Sequence, residues 1–388
     1  MRDIEANLRE FERRDLLRVR RTVESSSGAR MTVDGGERLA FCNNDYLGLS
    51  KHPALIDALK SGADRYGAGA GASALISGHT AVHEQLEERL AAFVRMPRAL
   101  HFSTGYMANL AVLPALASAG DTIFADSLNH ASLIDAGRLA RAEVVEYPHC
   151  DVSFLEERLA ECKSEGKIVV TDAVFSMDGD IAPLPTLLAL CERFNATLIV
   201  DDAHGFGILG SEGRGALAHC NLSSPRLVYI GTLGKAAGVA GAFVAAEEAV
   251  IEWLIQRGRT YVYTTAPPPA LSAALLASID LIGSSEGEAR RACLRSHIAR
   301  LRSGLSGLRW SLLESDTAIQ PLLIGSNKMT LDLMHRLYDC GIWVPAIRPP
   351  TVPQGSSRLR ISLSAAHSEA DIDQLTDALH DCASQLAA

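Results

Sequence analysis

The chain has 388 residues, of which 47% are hydrophobic and 21% charged, a composition typical of a folded globular protein. Its net charge of −9 at pH 7 argues against general nucleic-acid binding. It contains neither a run of about 18 apolar residues nor an apolar N-terminal signal segment, and its eight cysteines show no metal-ligand spacing. We therefore expect a cytoplasmic protein without a membrane anchor or a bound metal.

Residues 4–21 carry apolar side chains at helical spacing among six arginines, which predicts a helix with a basic face. We expect residues 1–44 to form an N-terminal arm, with most of these arginines in solvent.

From about residue 45, short apolar runs alternate with longer amphipathic segments. Val82, Leu86, Leu90 and Val94 are spaced by four and predict one of the intervening helices. This alternation predicts an α/β fold with a mostly parallel sheet that helices cover on both faces. The predicted strands are 99–102, 122–125, 143–147, 168–172, 197–201, 227–231 and 240–245.

The segment of small and polar residues at 284–287 predicts a domain boundary. We expect a large α/β domain over residues 45–284 and a smaller C-terminal α+β domain over residues 285–388. The last helix of this domain is predicted to begin at Ser368, because Ser368 and Asp371 have the spacing of a capping box.

Polar side chains follow several predicted strands, where ligands collect in α/β sheets. Asp201 ends one strand and His204 follows it; such a carboxylate can keep a pyridine nitrogen protonated, and an imidazole can bond a ring hydroxylate. Lys235 lies in the nearly uncharged stretch 229–238, where its amine could form a Schiff base. Asp201 could also be an ordinary helix cap.

Two further strand ends carry weaker signals. The turn before Gly105 opens a helix whose free amides can hold a phosphate, although such turns are common. His130 could stack on an aromatic ring or have only a structural role. Taken together, a lysine, a carboxylate, a histidine and a phosphate turn indicate pyridoxal 5'-phosphate (PLP) better than any one of them does.

From about residue 15 to residue 379, the chain resembles the α-oxoamine synthases, PLP-dependent enzymes of fold type I. The resemblance implies a large, mostly parallel seven-stranded sheet domain and a smaller C-terminal domain. The segment 346–353 (AIRPPTVP), which runs on to Arg358-Leu359-Arg360, separates the chain from glycine C-acetyltransferase, 5-aminolevulinate synthase and serine palmitoyltransferase. The other matching motifs are 43–49 (NNDYLGL), 76–80 (ISGHT), 129–133 (NHASL), 174–180 (VFSMDGD), 200–205 (VDDAHG) and 232–235 (TLGK).

The resemblance implies a role for each matching residue. Lys235 corresponds to the Schiff-base lysine, Asp201 to the partner of the pyridine nitrogen, and His204 to the residue that bonds the ring oxygen. His130 corresponds to the histidine that stacks on the ring. The remaining implied groups are Ser176 near the ring oxygen; Gly105, Tyr106 and Thr232 at the phosphate; Thr264 and Thr265 at the phosphate of the neighbouring subunit; and Arg18, Asn44 and Arg360 at the substrate carboxylates, with Arg360 gripping the amino acid.

The implied activity is the decarboxylative condensation of L-alanine with pimeloyl-CoA or pimeloyl-acyl carrier protein in biotin biosynthesis, by a homodimer with shared active sites. Another α-oxoamine synthase, such as glycine C-acetyltransferase, is the alternative. A nucleotide-binding module is disfavoured because no GxGxxG or GxxxxGK[ST] motif follows a strand, and a catalytically silent subunit because Lys235, Asp201 and His204 are all present. Small departures from the family pattern at Ala72, Ala74, Ala236 and Ala237 affect only the expected shape of the acyl pocket.

Overall fold

A computed structural model describes residues 3–385, which form two compact units. Unit 1 comprises the N-terminal residues up to Gly48, Ser176–Asp180 and the chain from Ala292 onward. Unit 2 comprises Leu49–Phe175 and Ile181–Arg291. The domain boundaries proposed from the sequence, after residues 44 and 284, stay a prediction.

Strands of the two units belong to separate sheets. In chain order they are β1 (Val23–Ser27), β2 (Arg30–Val33), β3 (Gly36–Ala40), β4 (Arg98–Phe102), β5 (Thr122–Asp126), β6 (Glu143–Tyr147), β7 (Lys167–Asp172), β8 (Thr197–Asp201), β9 (Leu227–Thr232), β10 (Ala242–Ala246), β11 (Ser311–Leu312), β12 (Ile319–Gly325), β13 (Ile342–Trp343), β14 (Ala346–Ile347) and β15 (Ser357–Ser362).

The α-helices are α1 (Ile4–Arg13), α2 (Pro53–Tyr66), α3 (Ala81–Val94), α4 (Gly105–Leu116), α5 (Ala131–Leu139), α6 (Val152–Glu161), α7 (Leu184–Arg193), α8 (Ala216–His219), α9 (Glu248–Arg257), α10 (Arg259–Val262), α11 (Pro269–Ile282), α12 (Ser285–Gly304), α13 (Asn327–Asp339) and α14 (Glu369–Gln385). A π-helical turn spans Ala74–Gly78 and a 3-10 turn spans Ser211–Gly213. Between residues 3 and 385, none of the helices is long and apolar enough to cross a membrane.

Unit 2 is built on a seven-stranded sheet with the strand order β4-β10-β9-β8-β7-β5-β6. The pairs β5/β6, β5/β7, β7/β8 and β8/β9 are parallel, and only β10 runs antiparallel to its neighbours β4 and β9. The predicted mostly parallel α/β sheet is therefore confirmed. Its strands are the seven predicted from the sequence; the inner strands are continuously apolar because they are buried on both faces, whereas the edge strand β6 is largely exposed.

The last predicted strand begins two residues later than expected. Gly241 has a φ of +106°, a left-handed conformation that suits glycine and keeps the chain in a turn until β10 begins at Ala242. The predicted helix with four-residue spacing is α3, in which Val82, Leu86 and Leu90 are buried.

The core on one side of this sheet lies beneath α4. Ala108, Ala111 and Val112 of this helix are fully buried in one hydrophobic cluster with Ile123 of β5 and Ile199 of β8. Each such side chain removes apolar surface from water, which contributes about 25 cal/mol per Å². This packing fixes the beginning of α4 at the carboxyl ends of the strands.

Unit 1 contains two small sheets, β1-β2-β3-β13 and β11-β12-β15-β14. Its last helix, α14, begins as predicted: the Ser368 amide donates to Asp371 Oδ2 (2.8 Å), and the Asp371 amide donates to Ser368 Oγ (3.2 Å). Ile372, Leu375 and Leu379 form the buried face of α14.

The N-terminal helix is shorter than the sequence pattern suggests. α1 ends at Arg13, and Asp15 has a φ of +55°, which lies outside the right-handed helical region. A helix over the whole of residues 4–21 is therefore wrong. Residues beyond Asp15 follow as a non-helical arm.

Candidate active site

Two neighbouring parallel strands of unit 2 place a lysine beside a histidine. Asp201 is the last residue of β8, and Lys235 follows the end of β9 at Thr232. Lys235 Nζ lies 2.8 Å from His204 Nε2. Lys235 is half-buried; Leu233, Ala236 and Ala237 are at most 1% exposed, whereas Gly234 is exposed. The neutral sequence around Lys235 is thus the lining of a packed turn.

The carboxylate of Asp201 is buried and held by two donors. Asn109 Nδ2 donates to its Oδ2 (2.7 Å), and the Ala203 amide donates to its Oδ1 (3.0 Å). Asn109 lies on the otherwise apolar helix α4. Because both oxygens are engaged, the orientation of this carboxylate is fixed.

His130 caps the N-terminus of α5 and is tied to the same cluster. Its backbone N–H donates to Asp172 Oδ2 (2.6 Å), and its Nδ1 lies 2.7 Å from Ser132 Oγ. Asn109 Nδ2 also donates to Ser132 Oγ (2.7 Å), so one amide links the beginning of α5 to Asp201. The predicted residues His130 and Asp201 are thus brought together.

The electrostatics of His130 reflect the same neighbours. Burial lowers the pKa of its imidazole, the Asp201 carboxylate opposes this shift, and the Lys235 ammonium adds to it. A lowered pKa favours the neutral ring, the form that suits a stacking contact with an aromatic cofactor.

Asp172 is a buried carboxyl that the sequence reasoning missed. Burial, followed by the negative charge of Asp201, raises its pKa well above the ordinary value. Like Asp201 it ends an apolar strand, so the signal used for Asp201 could also have identified Asp172. Asn109 was equally detectable, as an amide inside an apolar helix.

The beginning of α4 has the geometry of an anion site. Thr104 caps the helix by accepting from the Met107 amide (3.2 Å), and Gly105 is its first residue. A Cβ at Gly105 would lie 3.8 Å from Thr232 Oγ1, because Phe102 and Thr232 both pair with Ala242 across the sheet. Unpaired amides at a helix N-terminus favour a phosphate.

These side chains fit PLP. The cofactor needs an amine for its aldehyde, a carboxylate for its pyridine nitrogen, an aromatic or imidazole ring against its face, and amide or hydroxyl donors for its phosphate. Lys235, Asp201, His130 and the turn at Gly105 supply these groups along one edge of the sheet. Asp201, held by Asn109, would keep the ring nitrogen protonated.

Unit 1 contains a second group of predicted residues around Arg360 on β15. Arg360 is 5% exposed. Its Nε donates to the Ser176 carbonyl (2.5 Å), and its Nη1 donates to Asn44 Oδ1 (3.2 Å) and to Ser362 Oγ (2.7 Å). Within residues 3–385 these hydrogen-bond partners are uncharged, which leaves a buried guanidinium suited to a carboxylate ligand.

Four predicted residues lie outside both groups of contacts. Arg18 is exposed in the arm after α1, and its Nη2 donates to Thr351 Oγ1 (3.5 Å). Thr264 is half-buried and Thr265 is exposed, between α10 and α11. Tyr106, at the phosphate turn, uses its hydroxyl to donate to Asp135. The roles of these residues stay predictions.

A separate cluster brings three potential metal ligands together. Side-chain atoms of Asp126, His149 and Cys150 lie within 4.8 Å of one another. Asp126 accepts from His149 Nδ1 (3.0 Å), the Cys150 amide (2.8 Å) and the Leu128 amide (2.9 Å). We interpret Asp126 as the group that ties the turn after β6 to the end of β5.

Comparisons with known proteins identify the family of the chain. Residues 37–379 match the family described as aminotransferase class I and II. The chain is 58% identical to the 8-amino-7-oxononanoate synthase of Janthinobacterium sp. (strain Marseille), over 98% of each chain. It is also 58% identical to the enzyme of that name from Herminiimonas arsenicoxydans, over 95% of this chain and 96% of the relative.

The chain belongs to the 8-amino-7-oxononanoate synthases.

Solved structures are consistent with membership of this family. The serine palmitoyltransferase of Sphingomonas wittichii superposes with a TM-score of 0.93 at 31% identity, covering 99% of this chain and 97% of that one. The 8-amino-7-oxononanoate synthase of Francisella tularensis gives a TM-score of 0.78 at 32% identity, covering 90% and 99%. As an 8-amino-7-oxononanoate synthase, the protein is a PLP-dependent acyltransferase of the aminotransferase fold.

Proposed function

We propose that the protein condenses L-alanine with a pimeloyl thioester, releasing CO2 and the free thiol and forming 8-amino-7-oxononanoate. The observation that carries this proposal is the contact between Lys235 and His204 beside the fixed carboxylate of Asp201. The names of relatives that are 58% identical support the choice of product. The thiol carrier is CoA or acyl carrier protein.

Lys235 has two roles in this proposal. Its amine binds the cofactor, and in the reaction it takes a proton from Cα of alanine and later returns one to the product as a general acid. His204 Nε2, 2.8 Å from the amine, orients Nζ for this transfer. Bound PLP supplies an electron-withdrawing ring that stabilises negative charge at Cα, and Asp201 maintains that property.

Arg360 is proposed to bind the carboxylate of alanine. A guanidinium can hold a carboxylate through two parallel hydrogen bonds, which orients the group as well as binding it. Asn44 accepts from both Tyr46 (3.0 Å) and Arg360 (3.2 Å), and this limits the rotation of the guanidinium. The amino acid is thereby held with one orientation of its Cα–H bond.

Arg18 is proposed to act on the acyl substrate. A pimeloyl chain ends in a second carboxylate, which needs a cation in or beside an apolar groove. Arg18 is an exposed cation in the arm that follows α1, and its guanidinium contacts Thr351.

We further propose that the enzyme acts in the cytoplasm as a homodimer, with Thr264 and Thr265 completing the phosphate site of the neighbouring subunit. Small polar hydroxyls near the beginning of α11 suit such a contact. Isologous dimers place the same surface patch on both subunits, so each subunit would give and receive these residues.

Product formation tests the proposed reaction. L-Alanine, glycine and L-serine are each paired with pimeloyl, succinyl and acetyl thioesters, and the products are identified by mass spectrometry. We expect L-alanine with pimeloyl-CoA or pimeloyl-acyl carrier protein to give the highest kcat/KM. A higher kcat/KM for glycine with acetyl-CoA would contradict the proposal.

A further inference from the structure

The segment that separates this chain from related synthases, residues 346–353, contains an arginine directed at the N-terminal arm. The guanidinium of Arg348 donates through Nη1 to the carbonyl oxygen of Asp15 and through Nη2 to that of Leu17 (3.5 Å). Asp15 lies in the turn that ends α1 and Leu17 just after it, and the two acceptors are 333 and 331 positions away in the sequence. Arg348 therefore fixes the backbone immediately before Arg18.

The other side of Arg348 is fixed by the sheet of unit 1. Ile347 pairs with Arg358 in the β14/β15 ladder, and the Arg360 amide donates to the Pro345 carbonyl (3.1 Å). The Thr351 amide donates to the Arg348 carbonyl (3.1 Å), which closes a turn and presents the Thr351 hydroxyl to Arg18. The arm is thus held by a short segment that is itself paired with a buried strand.

A groove of about 630 Å³ lies between the arm and this segment, within unit 1. Leu17, Met334, Trp343 and Ile347 are among its apolar lining residues, and both Arg18 and Arg348 reach it. Burial and the nearby charge of Arg18 lower the pKa of Arg348, whereas Asp15 opposes the shift. Two guanidinium groups beside an apolar surface suit an acyl chain with an anionic end.

We propose that Arg348 is a positioning residue for acyl-chain selectivity: by binding the Asp15 and Leu17 carbonyls, it holds Arg18 where that guanidinium pairs with the terminal carboxylate of the acyl chain. The inference rests on the proposed dicarboxylic acyl substrate. Arg348 acts through the backbone of the arm, and Arg18 makes the contact.

The test compares two thioesters of equal chain length, pimeloyl-CoA and heptanoyl-CoA, of which only the first has a terminal carboxylate. In Arg348→Ala, we expect KM for pimeloyl-CoA to rise about tenfold. This rise corresponds to the loss of one charged hydrogen bond, the one between Arg18 and the terminal carboxylate. We expect kcat and the KM for L-alanine to stay unchanged. The KM for heptanoyl-CoA, or its inhibition constant if it acts only as a competitive inhibitor, should also stay unchanged. Arg348→Lys, which can still donate to one carbonyl, should recover part of the loss.

Three further variants separate positioning from folding and from general charge. Arg14→Ala removes an exposed arginine of the same arm and should leave both thioesters unaffected. Arg18→Ala should reproduce the selective loss, and Arg18→Ala with Arg348→Ala should add little to it, because the two residues act in series. Retention of the cofactor's visible absorbance in Arg348→Ala verifies an intact site.

Equal losses for pimeloyl-CoA and heptanoyl-CoA, a raised KM for L-alanine, or additive effects in the double variant would overturn the inference. Calorimetric titration of each thioester onto the holoenzyme without L-alanine measures the same preference independently of turnover. If the wild-type enzyme binds pimeloyl-CoA selectively and Arg348→Ala loses that selectivity, but no product forms, the proposed reaction fails while the inference stands. If it binds both thioesters equally, the inference fails.

Discussion

The contact between Lys235 and His204 sets the chemistry of unit 2 at the scale of single residues. Lys235 is half-buried, and its amine lies 2.8 Å from an imidazole nitrogen, which holds it in one position. A fixed amine just after a strand suits a lysine that carries a cofactor and transfers protons.

Lys235→Ala is expected to abolish both product formation and the visible absorbance of the lysine-bound cofactor, because the amine that binds the aldehyde is removed. Absorbance spectra and a product assay check this. Lys51→Ala, a change at an exposed lysine, is the matched control and should alter neither. An unchanged visible band in Lys235→Ala would rule out this assignment.

Residues that support the site were harder to recognise than those that act in it. Asp201 and Lys235 stand out because a charged group beside an apolar run needs an explanation. Asn109 lies 92 positions from Asp201 in the sequence, and only packing of α4 onto the sheet brings its amide to that carboxylate. Asp172 was detectable at a strand end, but its raised pKa depends on its proximity to Asp201.

At the scale of elements, the helix α3 contains a half-buried carboxyl with a structural role, that of Glu87. Glu87 accepts from the His101 amide at 2.8 Å, which ties α3 to β4. Burial raises the pKa of Glu87 to about 7. Because the folded-state pKa lies above that of the unfolded chain, the protonated form stabilises the fold, and this stability is lost as the pH rises through about 7.

Glu87→Gln should therefore raise the thermal midpoint more at pH 8 than at pH 5. The neutral amide can still accept from His101, and the cost of ionising a half-buried carboxyl disappears, which is worth up to about 3 kcal/mol at pH 8. Thermal unfolding followed by circular dichroism at both pH values measures the effect. Glu88→Gln, at an exposed neighbour, is the control; an equal gain at both pH values for Glu87→Gln would contradict the linkage.

Secondary structure followed the sequence closely where patterns were long and apolar. All seven strands of the large sheet were predicted, because most of them are buried on both faces and leave a continuous apolar signal, whereas the edge strand β6 is largely exposed. The helix over residues 4–21 was predicted too long, because apolar spacing continues past Arg13. After Arg13, the contact between Arg348 and the Asp15 carbonyl favours a non-helical backbone. This contact cannot be predicted from the local sequence pattern.

At the scale of the whole molecule, the predicted site residues are divided between the two units. Lys235, His204, Asp201 and His130 belong to unit 2, whereas Arg18, Asn44, Ser176 and Arg360 belong to unit 1. The short segment Ser176–Asp180 belongs to unit 1 although its neighbours in the chain belong to unit 2. The proposed dimer would add Thr264 and Thr265 of the neighbouring subunit.

Mixed dimers test this sharing. Lys235→Ala and the double variant Thr264→Ala with Thr265→Ala should each have little activity alone. After unfolding and refolding together in equal amounts, about a quarter of the sites would combine an intact lysine with intact threonines, because half of the dimers are mixed and each has one complete site. Activity no higher than the mean of the two separate preparations would show that these residues do not act across subunits.

The sequence by itself determined the sheet, the cofactor chemistry and the family, because apolar strand runs and the polar groups that follow them are adjacent in the chain. Tertiary structure alone decided which residues contact and position the site residues. Arg360 meets Asn44 across 316 positions, and Arg348 meets Asp15 across 333. Such contacts depend on how folded elements pack against one another, which is a property of the buried core and leaves no periodic signal in either segment.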